Sequence, residues 1–90
     1  MTPEAAIQPQ IHYLKTWVRW WDDIEKGNKS FDVRRNDRNF QVGDVLKLQK
    51  YDPANSSYLG PTVTRHVRYV LELSEVPFAG FQHGYVVLGF

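Results

Sequence analysis

The chain has 90 residues, a formal net charge of +1 and no cysteine, which leaves room for one small domain without a disulfide staple or a cysteine nucleophile. Its 42% hydrophobic and 14% aromatic residues suffice to bury a core, which excludes a disordered chain. The near balance of charge also excludes a broadly basic nucleic-acid coat, because non-specific phosphate binding rests on an excess of Lys and Arg; any nucleic-acid site must be a local patch.

No apolar run approaches the ~20 residues that span a bilayer, and the start Met1-Thr-Pro-Glu-Ala-Ala6 lacks the basic and apolar regions of a secretory signal. A soluble cytoplasmic protein with no membrane partner is expected. Residues 1–10, containing Pro3 and Pro9, read as a loose lead-in, with a single domain over 11–90. Trp17, Trp20, Trp21 and Ile24 follow the i, i+3, i+4, i+7 stripe of an amphipathic helix over roughly 17–26, and Gly27 is placed to end it in a left-handed cap. The other face of this helix holds Arg19, Asp22, Asp23, Glu25 and Lys26, an ordinary solvated set. Trp20, Trp21 and Phe31 are assigned to packing, while Trp17 and Tyr51 are left for the rim of a pocket.

The period then changes to two. Along Gly27-Asn-Lys-Ser-Phe-Asp-Val-Arg-Arg-Asn-Asp-Arg38, Phe31 and Val33 share one face of a strand, and Asp32 and Arg34 share the other. A mixed-charge row backed by an apolar row suits a ligand with both phosphate and hydrogen-bonding edges; the plainer reading is a solvated hairpin whose surface pairs are worth roughly 0 to 1 kcal/mol each. A second strand over Asp44–Tyr51 follows the turn at Val42-Gly43, and it is expected to lie antiparallel beside the first, so that Lys47, Gln49 and Tyr51 extend the polar row. The loop Asp52-Pro-Ala-Asn-Ser-Ser57 ends near Gly60-Pro61. One long half-exposed strand is predicted from Thr62 to Leu73, then a loop over 75–83 containing Pro77 and Gly80. The closing Tyr85-Val-Val-Leu-Gly-Phe90, apolar on both faces, reads as an enclosed strand. About five strands and one clear helix predict an α+β domain whose sheet curls into a small barrel, with the helix packed against it.

The chemistry-bearing patterns are few. His12, His66 and His83 lie far apart in sequence without zinc-site spacing, so neither a metal nor a cofactor is expected. Six glycines form no phosphate-binding loop of Walker or dinucleotide type. Spacing does not decide for or against a Ser-His-Asp triad, which is recognised by geometry, but no Ser sits in a nucleophile-elbow sequence. Lys29 and Asp32, beside Arg34, form a candidate acid–base pair, against the simpler reading of a Lys–Asp pair bracing a strand edge. Aromatics interleave with cations at His12-Tyr-Leu-Lys-Thr-Trp17 and at Lys50-Tyr51, an association that stacks a base while holding a phosphate.

The runs His12–Trp17, Gly27–Arg34, Asn36-Asp-Arg38, Phe40-Gln-Val-Gly-Asp44 and Gly84-Tyr-Val-Val-Leu-Gly89 together resemble the ASCH-like domains of the PUA-like superfamily. The likeness is to an uncharacterised subgroup common in phages and bacteria, and it spans about residues 11–90. It implies a PUA-like β-barrel with a cleft associated with RNA or modified-nucleoside binding. In the ASCH pattern Gly-x-Lys-x-x-Glu-x-Arg the matching positions are Gly27, Lys29, Asp32 and Arg34. Asp32 is one methylene short of the usual acid, which draws the carboxylate back by ~1.5 Å on an unchanged backbone. Some relatives hydrolyse acetylated cytidine with a threonine where Asp32 stands, so that activity is not expected to carry over. Val18 replaces a proline often found after the strand tryptophan, a change at the helix start.

These readings converge on an RNA-, nucleotide- or nucleic-acid-binding module. Lys29, Arg34 and Arg38 would meet phosphate, Asp32 and Asn36 would read hydrogen-bonding edges, Trp17 or Tyr51 would stack a base, and Lys15 is a further candidate binding residue. A small hydrolase of modified nucleosides or RNA using Lys29 and Asp32, and a phage-type inhibitor that binds a host protein, are the rival readings.

Overall fold

A computed structural model describes residues 8–76 and 83–90 of the chain. The expected lead-in and the expected loop over 75–83 fall largely on residues 1–7 and 77–82, outside the described residues. In chain order the elements are β1 (Ile11–Trp17), α1 (Val18–Glu25), β2 (Phe31–Arg35), β3 (Val45–Asp52), β4 (Ser57–His66), β5 (Tyr69–Glu72), a 3-10 turn at Leu73–Glu75, and β6 (Tyr85–Gly89).

The helix stops where expected. Gly27 takes φ +84°, and its N–H donates to the Ile24 carbonyl at 3.0 Å, the left-handed ending that glycine adopts without a Cβ penalty. Of the tryptophan stripe, Trp21 and Ile24 are buried. The Trp21 indole also donates to the Leu48 carbonyl at 2.9 Å, and Arg65 donates to the Ile24 carbonyl at 3.0 Å, tying both the helix body and its end to sheet strands.

The barrel expectation is overturned. Among the described residues six strands form two open three-stranded sheets, ordered β1-β3-β4 (sheet A) and β2-β6-β5 (sheet B), and strand rather than an even α+β mixture dominates them. The predicted strand over Thr62–Leu73 is two strands. The Val67 N–H donates to the Asp44 carbonyl in sheet A's neighbourhood, whereas the next N–H, Arg68, donates to the Gly89 carbonyl in sheet B. The chain therefore changes sheets within one peptide, without the Gly or Pro that would mark the break.

Pairing differs as well. The expected neighbours over 29–35 and 44–51 lie in different sheets: β3 pairs parallel with β1 and antiparallel with β4, while β2 pairs antiparallel with β6. Lys47, Gln49 and Tyr51 consequently stand on the outer face of sheet A and do not continue the polar row of β2. β6 is enclosed as expected, between β2 and β5. The core lies between the sheets and under the helix, joining Leu14, Leu46, Leu48 and Val63 of sheet A with Val86 and Leu88 of sheet B, Trp21 and Ile24 of α1, and Phe40.

Candidate functional site

β2 presents the reverse of the orientation expected from its pattern. Phe31 and Val33 are 47% and 49% exposed, while Asp32 is 7% exposed and Arg34 is half-buried beside it. Register explains the choice, because Asp32 and Arg34 pair opposite the buried Leu88 and Val86 of β6 and so share the inward face. Arg34 finds the acceptors that such a position demands. Its Nε donates to Asp32 Oδ2 at 2.8 Å, and its Nη2 donates to the Lys15 carbonyl at 2.7 Å and to Thr16 Oγ1 at 3.1 Å. Asp32 Oδ1 also accepts from Lys29 Nζ at 3.4 Å and from the Val33 N–H at 3.1 Å. Lys29 further donates to the Phe31 carbonyl at 2.8 Å, with its ammonium 4.6 Å from the centre of the Phe31 ring. A carboxylate placed against two cations is compensated, and the cluster keeps a surplus positive charge.

Trp17, the last residue of β1, and Trp20, in the first turn of α1, stack with ring centroids 5.4 Å apart and planes inclined by 13°. Both remain open to solvent, at 45% and 39%, so Trp20 is not the core residue its helical spacing suggested. Between this pair and β2 lies a cleft of about 170 Å³ lined by Lys15, Thr16 and the Asp32–Arg34 pair. A second hollow of about 240 Å³ shares Trp20, Asp32 and Val33 with it and reaches Lys29 and Phe31. Through those shared residues the two hollows adjoin along β2 as one groove, lined by the Trp17 and Trp20 rings and by Lys29, Asp32 and Arg34.

Of the predicted site residues, Lys15, Trp17, Lys29, Asp32 and Arg34 line this groove. Asn36 and Arg38 do not. Asn36 donates to Glu72 at 3.0 Å and accepts from the Phe40 N–H at 3.2 Å, which locks the turn after β2. Arg38 donates to the Tyr13 carbonyl at 2.9 Å, covering the unpaired edge of β1. Tyr51 stands on sheet A opposite Trp17 in register, outside the groove lining, with the Lys15 ammonium 4.2 Å from its ring centre. Trp20 and Thr16 were missed; the Trp17-x-x-Trp20 spacing was the available signal for the former.

A different buried polar cluster was also missed. His12 Nε2 lies 2.8 Å from Asp44 Oδ2, and Asp44 also accepts from the N–H groups of Gln10 at 3.1 Å and Gln41 at 3.0 Å. Burial raises the Asp44 pKa, but the bonds from His12, Gln41 and Gln10 and the attraction of His12 outweigh it and hold the carboxyl below its ordinary value. Asp44 borders a further hollow of about 390 Å³, yet its oxygens are committed to the fold. Among the described residues no group of three His, Cys, Asp or Glu is placed to hold a metal ion, and no helix is long and apolar enough to cross a membrane.

Comparison with known proteins adds kinship without an activity. An uncharacterised 12.9 kDa protein encoded in the GpA 3′ region of Escherichia phage P2 is similar over 69 residues at 28% identity, a stretch covering 77% of this chain and 62% of that relative. The chain thus spans less than two thirds of the phage protein's length. The match agrees with the expected kinship to a small uncharacterised group found in phages. From β1 to the last residue of the sequence, 11–90, the chain matches one family model, and it belongs to that family, described as a domain of unknown function (DUF3850).

Proposed function

We propose that this protein is a nucleic-acid- or nucleotide-binding module, and that the groove along β2 receives one nucleotide. The observation that carries the reading is the solvent-open Trp17–Trp20 stack set directly over the Lys29–Asp32–Arg34 cluster. Indole faces take any base, at roughly 1–3 kcal/mol per stacked base. The ion cluster has donors left over: Lys29 uses two of its three N–H bonds, and no described partner takes the two N–H groups of Arg34 Nη1. These are the donors that would meet phosphate, and Asp32, with three bonds accepted, retains a lone-pair site for a base edge. The likeness of Gly27, Lys29, Asp32 and Arg34 to the ASCH pattern supports the same reading, which also assigns the protein to the cytoplasm, where such ligands are found.

The test is a titration of the protein against labelled single-stranded RNA and DNA octamers at about 50 and 200 mM salt. Binding weakens with salt, and Trp20→Ala and Lys29→Ala each lower the affinity roughly tenfold, the loss of one stacked base or one charge-assisted contact. An absence of binding at low salt, or wild-type affinity in both variants, would refute the proposal.

A further inference from the structure

We propose that sheet A continues the groove as a surface track, so that the protein holds several consecutive nucleotides of a single strand and not one alone. This rests on the nucleotide-binding reading of the groove. Trp17 belongs to both regions: it lines the groove, and it is the last outward residue of β1, directly opposite Tyr51 of β3. Tyr51 in turn sits opposite Tyr58 of β4. The register therefore sets Trp17, Tyr51 and Tyr58 in one aromatic row across all three strands of the sheet, and Trp20 extends it over the groove through its stack on Trp17. Neighbouring strands lie about 4.8 Å apart, so the three-strand row is about 10 Å long. That accommodates two to three bases at the ~3.4 Å rise of a stacked strand.

The row is open and firmly built. Tyr58 is 56% exposed, and the Tyr51 and Tyr58 rings meet edge to face with centroids 5.1 Å apart. Beneath it stand Lys15, its ammonium over the Tyr51 ring, and Lys47, which donates only to Thr64 Oγ1 at 3.0 Å. Neither lysine has a carboxylate partner among the described residues. No Asp or Glu occupies an outward position of this face; its other outward residues are Ile, Val, Gln, Thr, Tyr and His. An aromatic row underlined by cations that have no carboxylate partner, with the nearest acid, Asp52, engaged by the Ala54 N–H and Asn55 of the adjoining turn, is complementary to a strand that offers base faces on one side and phosphates on the other. Lys15 lies at the junction, within reach of both regions.

The test separates the track from the groove by ligand length. Adenosine and uridine 5′-monophosphates and single-stranded RNA and DNA of two, four and eight nucleotides are titrated against wild type, Tyr58→Ala, Lys47→Gln and the groove variant Lys29→Ala. All three altered side chains contribute little to the core, and far-UV circular dichroism establishes that each variant is folded. Wild-type affinity rises with length through about four nucleotides. Tyr58→Ala weakens octamer binding roughly tenfold and leaves the monophosphates unaffected. Lys47→Gln makes the salt dependence of octamer binding shallower by about 0.7 in log–log slope, one phosphate contact on a single strand. Lys29→Ala lowers affinity at every length. The track is overturned if octamers bind no more tightly than monophosphates, if they do not bind at low salt, or if both face variants bind them like wild type. Octamers that bind through Tyr58 and Lys47 with no response to Lys29→Ala place the strand on sheet A alone, which defeats the groove reading and overturns the continuity of the track with it.

Discussion

Asp44 shows how one short side chain organises a turn. Its two oxygens collect the Gln10 N–H, the Gln41 N–H and the His12 ring, joining the chain before β1, the start of β1 itself and the turn into β3. Asp44→Ala strands three donors in a buried place, and a loss on the order of 3 kcal/mol is expected, read as a lower urea midpoint at unchanged m-value. The pH response follows from the direction of the shift. Because the folded carboxyl titrates below its ordinary value, the stability it contributes is complete above the unfolded pKa of about 3.9 and drains away as pH falls through the lower, folded value. Wild type should therefore lose stability below about pH 4 more steeply than Asp44→Asn, a difference that thermal melts across that acid range measure directly. The Phe-Gln-Val-Gly-Asp run made a turn legible here, but three donors from separate segments meeting at one carboxylate cannot be read from spacing.

At the level of elements, the boundary between β1 and β2 is closed by side chains. β1 is an edge strand, and its Tyr13 and Lys15 carbonyls are taken by Arg38 and Arg34, both reaching from beyond its sheet. Arg34 is the stronger tie, since it is half-buried and bonded to three acceptors, whereas the Arg38 side chain is about twice as exposed. Arg34→Met is expected to cost about 2–3 kcal/mol and Arg38→Met less than about 1 kcal/mol, compared by chemical denaturation. The existence of most elements was legible: period two marked the strand regions, the Trp21–Ile24 spacing marked the helix, and Gly27 marked its end. Alternation does not say which face of a strand turns inward. For β2 the answer depends on acceptors along β1 that lie some twenty residues away in the chain (Lys15 to Arg34), so a local pattern favoured burying Phe31 and Val33 when the fold buries Asp32. The groove was partly legible for the same reason. Asp32 and Arg34 share one face as their spacing suggested, while Lys47, Gln49 and Tyr51 belong to the other sheet, and Asn36 and Arg38 are drawn off to brace the turn and the edge.

Over the whole molecule, β3 and β6 are the centres of their sheets, and their inward residues Leu46, Leu48, Val86 and Leu88 are fully buried. Hydrogen exchange should accordingly find the slowest amides in these two strands, with β1, β4, β2 and β5 opening earlier; a β4 more protected than β3 would contradict the observed strand order. Sheet order was the least legible feature, because the parallel union of β1 with β3 and the sheet change at Val67–Arg68 are settled by long-range packing with no local punctuation. The central place of β6 also governs how the molecule is made. Arg35 of β2 pairs with Tyr85, so on a translating ribosome β2 emerges long before its one ladder partner among the described residues exists. Until residue 89 has cleared the exit tunnel the nascent chain can complete sheet A but must carry β2 and β5 without β6 between them, a window in which chaperone capture competes with folding.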